Sequence, residues 1–176
     1  MTAELNEYGY AGATVERVAQ RAGIAKTTIY RRWGGLGGLM ADLLRSYAAQ
    51  QIPVPDEPDL DSALRALSRS VVAALRDPAI RAAFASLLAA AMQDPAAQRM
   101  LIQYVDSRAA IMSVIVRRAT GRQLPAGTDA AEVIRTITAQ LYFRLFMVGE
   151  DFSDATADRA AAVAAAAARS GALTAA

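Results

Sequence analysis

The chain has 176 residues, 54% of them hydrophobic and 20% charged, with a formal net charge of +2. That is long and apolar enough for one domain, or two small ones, with a substantial core. It contains neither cysteine nor histidine, which excludes disulfides, thiolate metal sites and cysteine nucleophiles and removes the commonest general base and zinc ligand.

The opening MTAELNEYGYAG lacks the basic region and long apolar core of a signal peptide. Ala3 to Glu7 can form at most one helical turn before Gly9 and Gly12. Val15, Val18, Ala19 and Ala22 then recur at the spacing of one helix face, with Thr14 placed as N-cap and Gly23 as the break. Ile24 is expected to fill the space between this helix and a second one from Lys26 to Trp33, whose Ile29 and Trp33 read as core. Two short helices joined by a tight glycine turn are the pattern of a helix-turn-helix, whose second helix enters the major groove of DNA. Arg17, Arg21, Lys26, Arg31 and Arg32 against Glu16 give five positive charges and one negative, a local net charge of +4. Most of the chain's positive surplus is therefore held where phosphates would be met.

The stretch YGYAGATVERVAQRAGIAKTTIYRRW, Tyr8 to Trp33, resembles the DNA-binding motif of the TetR family of bacterial transcriptional repressors almost position by position. The resemblance implies that Lys26, Thr27, Thr28, Tyr30, Arg31 and Arg32 face DNA. Thr27 and Thr28 would lie near base edges or adjacent phosphates, Tyr30 would place its hydroxyl on the backbone, and the arginines would serve phosphates. With Thr14 at the start of the motif, these make up the expected DNA-binding set. The residue types suit the work, since threonine can donate to a base or touch a thymine methyl and lysine supplies charge close to the groove. Three departures from the family stand out. Most of the longer first helix is missing, leaving Leu5, Tyr8 and Tyr10 to cover Val18, Ile29 and Trp33; a misassigned start would account for this. Ala25 stands where the family usually has a serine cap. Gly34-Gly35-Leu36-Gly37-Gly38 replaces a capped helix start bearing a phosphate-contacting lysine, and reads as a flexible joint. It is not a P-loop, because no Lys-Ser/Thr ending follows and no strand precedes it.

Leu39, Leu43, Leu44 and Tyr47 mark an amphipathic helix to about Gln51, ended by Pro53, Pro55 and Pro58. Asp59 or Asp61 can cap the next, with Leu64, Leu67, Val71 and Leu75 on one face. Asp77-Pro78 and Asp94-Pro95 are repeated start signals for helices carrying Ile80, Phe84 and Leu87, and then Tyr104, Met112 and Ile115 to about Thr120. The apolar run Ala82 to Met92 is interrupted by Ser86, and no stretch reaches the length of a membrane span. Gly121 to Gly127 is a loop, and Asp129 caps a helix whose stripe is Ile134, Ile137, Leu141, Leu145 and Val148, widened by Tyr142, Phe143 and Phe146. After a cap near Ser153 or Asp154 the chain ends in an alanine-rich helix in which Ala160, Ala164, Ala167 and Ala168 offer a smooth packing surface.

The expected architecture is all-α. An N-terminal helix-turn-helix DNA-binding domain (1–46, with a shortened first helix) is followed by a helical-bundle ligand-binding and dimerisation domain (47–176). The resemblance implies that the last two long helices pair with those of a second copy, so that two heads read a palindrome on double-stranded DNA. It also implies a pocket for a small apolar or aromatic effector, for which Met92, Met100, Tyr104, Met112 and Phe143 are the candidate lining; occupancy would change the spacing of the heads. No cofactor, metal site or membrane partner is expected, and the compartment is the cytoplasm. The alternative is a dimeric helical protein of the same descent that has lost specific DNA binding. Catalysis is not expected: Asp106 with Arg108 and Glu150 with Asp151 are the only tempting polar groupings, and neither has a histidine or a ligand set.

Overall fold

The computed structural model describes residues 13–150 and 153–175, and all regular structure among them is helical, without a β-strand. The helices are α1 Val15–Ala22, α2 Lys26–Trp33, α3 Leu36–Gln51, α4 Leu60–Arg76, α5 Pro78–Ala91, α6 Pro95–Ala119, α7 Ala130–Tyr142 and α8 Asp154–Arg169, with a π-helical segment Phe143–Val148 continuing α7. The expectations for Leu5, Tyr8, Tyr10 and Asp151 and for a helical turn over 3–7 lie outside the described residues. The chain divides into two units, residues 1–51 with 74–105, and residues 52–73 with 106–176.

In the first unit, Val15, Val18, Ala19 and Ile29 form a small core against which Trp33, Leu36 and Leu39 pack. Val18 is 4% exposed and Ile29 fully buried, so the expected thin cover is not seen; Leu36 and Leu39 of α3 pack against this core. Ala22 and Ile24, expected inside, are exposed. The reason is the turn itself: Gly23 takes a left-handed conformation (φ 66°), and the Ile24 N–H donates back to the Ala19 carbonyl (3.0 Å), closing a helix end that turns residue 24 outward. Further along, Met40, Leu44 and Ala48 of α3 are buried, and α3 packs on α5, whose buried side includes Ile80, Ala83, Phe84 and Leu87. Asp77 caps α5 through the Ala79 N–H (2.9 Å), with Pro78 at the first helical position, as the sequence predicts.

The glycine run is not a flexible joint. Gly34 ends α2 in the left-handed region (φ 72°) and Gly35 follows at φ 127°, so two residues reverse the chain and α3 begins at Leu36. A Cβ built on Gly38 would stand 1.7 Å from the Trp33 carbonyl oxygen; this position accepts no side chain because the backbone at the end of α2 lies against it. Gly34, Gly35 and Gly38 therefore build a tight corner. Leu36, which takes the place of the family's lysine, is half-buried against the α1–α2 core.

In the second unit Asp59 caps α4, accepting from the Ser62 N–H (2.9 Å) and from the Ser62 hydroxyl. These bonds hold its carboxyl below the usual carboxylate range. Asp129 caps α7 through the Ala131 N–H (2.8 Å), and Ser153 caps α8 through the Thr156 N–H (3.2 Å). α7 packs on α8, bringing Ile134, Ile137 and Leu141 beside a helix whose buried residues are all alanine. Small side chains let helix backbones approach closely at almost no cost in rotamer entropy. α8 is also fastened to α4 along its length. The Ser68 hydroxyl donates to the Ala157 carbonyl (2.8 Å), Arg69 makes two bonds of 2.7 Å to Asp158, and Arg169 pairs with Asp61. The end of the chain returns to the start of α7, where the Asp129 N–H donates to the Leu173 carbonyl (2.7 Å).

The predicted stripe of α7 ends at Leu141. From Phe143 the backbone pairs i to i+5, and none of the six residues of this segment is buried. More residues per turn rotate the apolar positions out of the 3.6-residue register, leaving Leu145 half-buried and Val148 55%, Phe143 59% and Met147 73% exposed.

Two outcomes test this description. Gly38→Ala should lower stability by about 3 kcal/mol through backbone overlap, whereas Gly37→Ala one position earlier should be neutral or stabilising by up to about 1 kcal/mol, both read by urea denaturation. The bond from Arg69, and then its charge, hold the Asp158 carboxyl below the usual carboxylate range. The contribution is thus present above that range and lost as the pH falls through the lowered value. The melting-temperature gap between wild type and Asp158→Asn should be constant near neutrality and close in acid. A gap independent of pH would show that the pair contributes nothing through charge.

Candidate nucleic-acid interface

The local sequence builds this surface one cap at a time. Thr14 is extended (φ −129°, ψ 155°) and its Oγ1 accepts from the Arg17 N–H (3.2 Å), so it fixes the start of α1. Ala25 is likewise extended but supplies no side-chain bond; only its carbonyl takes part, accepting from the Thr28 N–H (2.9 Å). The expected missing cap is therefore seen.

On α2, Ile29 is buried, Thr28 and Trp33 are half-buried, and Lys26, Thr27, Tyr30, Arg31 and Arg32 are exposed. At helical spacing Thr27 and Arg31 stand opposite Ile29, with the i,i+4 pairs Lys26–Tyr30 on one flank and Thr28–Arg32 on the other. The face away from the core is thus made wholly of the residues expected to meet DNA. Thr14 stands apart from this helix, at the start of α1, and is exposed.

The electrostatics are mostly positive. Lys26 Nζ lies 3.9 Å from Glu16, the acidic residue of the motif, with both side chains more than half exposed, a weak solvated pair. The Arg32 guanidinium stacks over the Trp33 ring at 4.8 Å, which holds this side chain partly pre-oriented rather than freely extended. The Trp33 indole N–H donates to Asp42 Oδ2 on α3 (3.0 Å), and Asp42 lies 3.7 Å from Arg45. This tie between the end of α2 and the next helix is not visible in the sequence pattern. A tryptophan and an aspartate nine positions apart on different helices share no periodic signal.

The five candidate effector residues do not form one group within either unit. Met100 lines a groove of about 320 Å³ in the first unit. Met92, at the end of α5, is 81% exposed, and Tyr104 is buried with its ring edge-on to Phe84 (6.1 Å). In the second unit Met112 is 2% exposed and serves the core, while Phe143 borders a shallow groove with Gln140 and Val148, about 440 Å³. Helical spacing alone does not distinguish a methionine that fills the core from one that faces a groove. The polar groupings weighed for catalysis have other partners: Asp106 pairs with Arg135 (3.4 Å), Arg108 donates to the Ile52 carbonyl (2.9 Å), and Glu150 pairs with Arg144 (2.6 Å). Among the described residues, no three acidic side chains converge as a metal site, and no helix is long and apolar enough to cross a membrane.

Comparison with known proteins places this geometry. Residues 2–43 match the model for bacterial regulatory proteins of the tetR family, and residues 54–172 match that for the tetracyclin repressor-like C-terminal domain. The HTH-type transcriptional regulator YdeS of Bacillus subtilis is 38% identical over 52 residues, 30% of this chain and 26% of that protein. Rv2250c of Mycobacterium tuberculosis, described in the same words, is 40% identical over 43 residues, 24% of this chain and 23% of that one. The aligned stretch thus spans about a quarter of the length of these curated relatives. The TetR family transcription regulator SCO0332 has the same fold at a TM-score of 0.78 and 26% identity, over 94% of this chain and 92% of that one. A TetR-family regulator from Mesorhizobium loti shares the fold at 0.65 and 21%, over 94% and 89%. With both halves of the chain matched, and the exposed face of α2 built as described, the chain belongs to the TetR family of bacterial regulatory proteins.

Proposed function

We propose that the chain is a cytoplasmic, homodimeric transcriptional repressor that binds a palindromic operator in double-stranded DNA and answers to a small apolar or aromatic effector. Residues 1–46 act as the DNA-binding head and 47–176 as the regulatory and dimerising part. The observation that carries the reading is the exposed face of α2, on which Thr27 and Arg31 lie opposite the buried Ile29 between two flanking pairs. In this reading Thr27 and Thr28 contact base edges, Tyr30 the backbone, and Lys26, Arg31 and Arg32 the phosphates, while Thr14 holds α1 at the groove edge. Dimerisation is supported by the apolar side chains that the second unit leaves outside, Phe143, Met147 and Val163 at 59%, 73% and 47% exposure. A single eight-residue helix reads few bases, and two on a twofold axis read a palindrome.

Selection of bound duplexes from a random library by the purified chain, followed by titration at two salt concentrations, tests this. The expected result is one enriched palindrome bound by one dimer. Lys26→Ala should weaken all duplexes alike and flatten the salt dependence by about one unit of slope. Thr27→Ala should instead relax preference at one position of each half-site. Absence of any enriched sequence would favour a dimeric protein that no longer reads DNA.

A further inference from the structure

We propose that the groove beside the glycine corner is an effector site for a small lipophilic amine. Its consequence for DNA rests on the regulator reading above; the binding itself does not. The groove lies between the α2–α3 corner and the α5–α6 turn, with Leu36 and Met40 on one side and Ala97 and Met100 on the other. Its volume, about 320 Å³, is at the lower end of that used by small-molecule sites. Its lining divides almost evenly between apolar and polar surface, and the two thioethers adapt to ligand shape.

Charge sets the ligand class. Asp94 is the sole ionisable side chain among the lining residues, beside the neutral amide of Gln93. Its Oδ1 accepts from the Ala96 N–H (2.8 Å) as the cap of α6, and a carboxylate retains further acceptor sites beyond one such bond. An apolar body carrying one protonated amine matches this lining, while an anion would meet Asp94 unfavourably.

Gly37 supplies an independent argument. Gly34 and Gly35 have left-handed backbones and Gly38 meets the Trp33 carbonyl, but Gly37 has neither reason to lack a side chain. A Cβ there would stand 3.6 Å from the Ala97 Cβ and 3.8 Å from the Met100 sulfur, ordinary contacts. Gly37 lowers helix propensity and serves no packing need; what it leaves is room in the wall of the groove. Because that wall is also the corner that ends α2, an occupant bears directly on the DNA-facing helix.

The test uses three probes with one apolar body, 1-aminoadamantane, 1-adamantanol and 1-adamantanecarboxylate, titrated calorimetrically into the full chain. The amine should bind about fivefold more tightly than the alcohol, with the carboxylate weakest. Asp94→Asn, which keeps a capping side chain, should bring the amine to the level of the alcohol. Gly37→Leu should abolish binding of both while the melting temperature and helical circular dichroism confirm a folded chain. On the duplex enriched in the selection, saturating amine should shift wild-type affinity about tenfold and leave Gly37→Leu unaffected. No binding by wild type, or binding indifferent to both substitutions, overturns the site. Binding that responds to both but leaves duplex affinity unchanged overturns its role as an effector site. Failure to enrich any duplex overturns the regulator reading and leaves the amine series to be judged alone.

Discussion

The approach of the Trp33 carbonyl to Gly38 is the contact on which the helix-turn-helix depends. A helix eight residues long is too short to be stable in water by its own hydrogen bonds, and α2 lacks a side-chain cap as well. Its conformation is imposed by what it touches. α1 covers one side, and α3, folded back by the corner, contributes Leu36 and Leu39 to the same small core. Had residue 38 carried a Cβ, α3 would have had to start further from α2 and that cover would open. The Trp33–Asp42 hydrogen bond works in the same direction from the side-chain end, fixing the last turn of α2 to the second turn of α3.

The second unit solves a different problem. Its last helix has alanine at every buried position and so gains little from burying any single side chain. What it gains is proximity to α7, and with it a continuous strip of backbone contact. Polar groups at the start and middle of α4 then select one alignment among the many that an alanine surface permits: Arg69 with Asp158 in the first half of α8, Arg169 with Asp61 at its end. These exposed pairs add little energy individually. Their value lies in excluding a slide of α8 along its own smooth surface.

Much of this was legible in the sequence, because much of it is local. The caps Thr14, Asp77, Asp129 and Ser153 act within three residues of themselves, and the helices they open carry apolar side chains at helical intervals. The face of α2 could be deduced for the same reason, since Ile29 alone fixes which residues point away. The glycine corner was misread because one letter covers positions with different requirements and one with none. Gly35 needs a positive φ, Gly38 needs space beside a carbonyl five residues away, and Gly37 needs neither. The end of α7 was misread because a change from α to π winding leaves no mark in composition. The candidate effector residues were dispersed because core methionines and groove methionines obey the same spacing.

Trp33 is the chain's single tryptophan. Its indole lies under the Arg32 guanidinium, hydrogen-bonds Asp42 and belongs to the residue whose carbonyl touches Gly38. Emission excited at the red edge of the absorption band, where the chain's six tyrosines do not absorb, therefore originates at the exit of α2. No label or engineered fluorophore is needed to follow that point. Whatever loosens the corner, strips the arginine from the ring or breaks the bond to Asp42 changes the colour or lifetime of a signal that no other residue contributes.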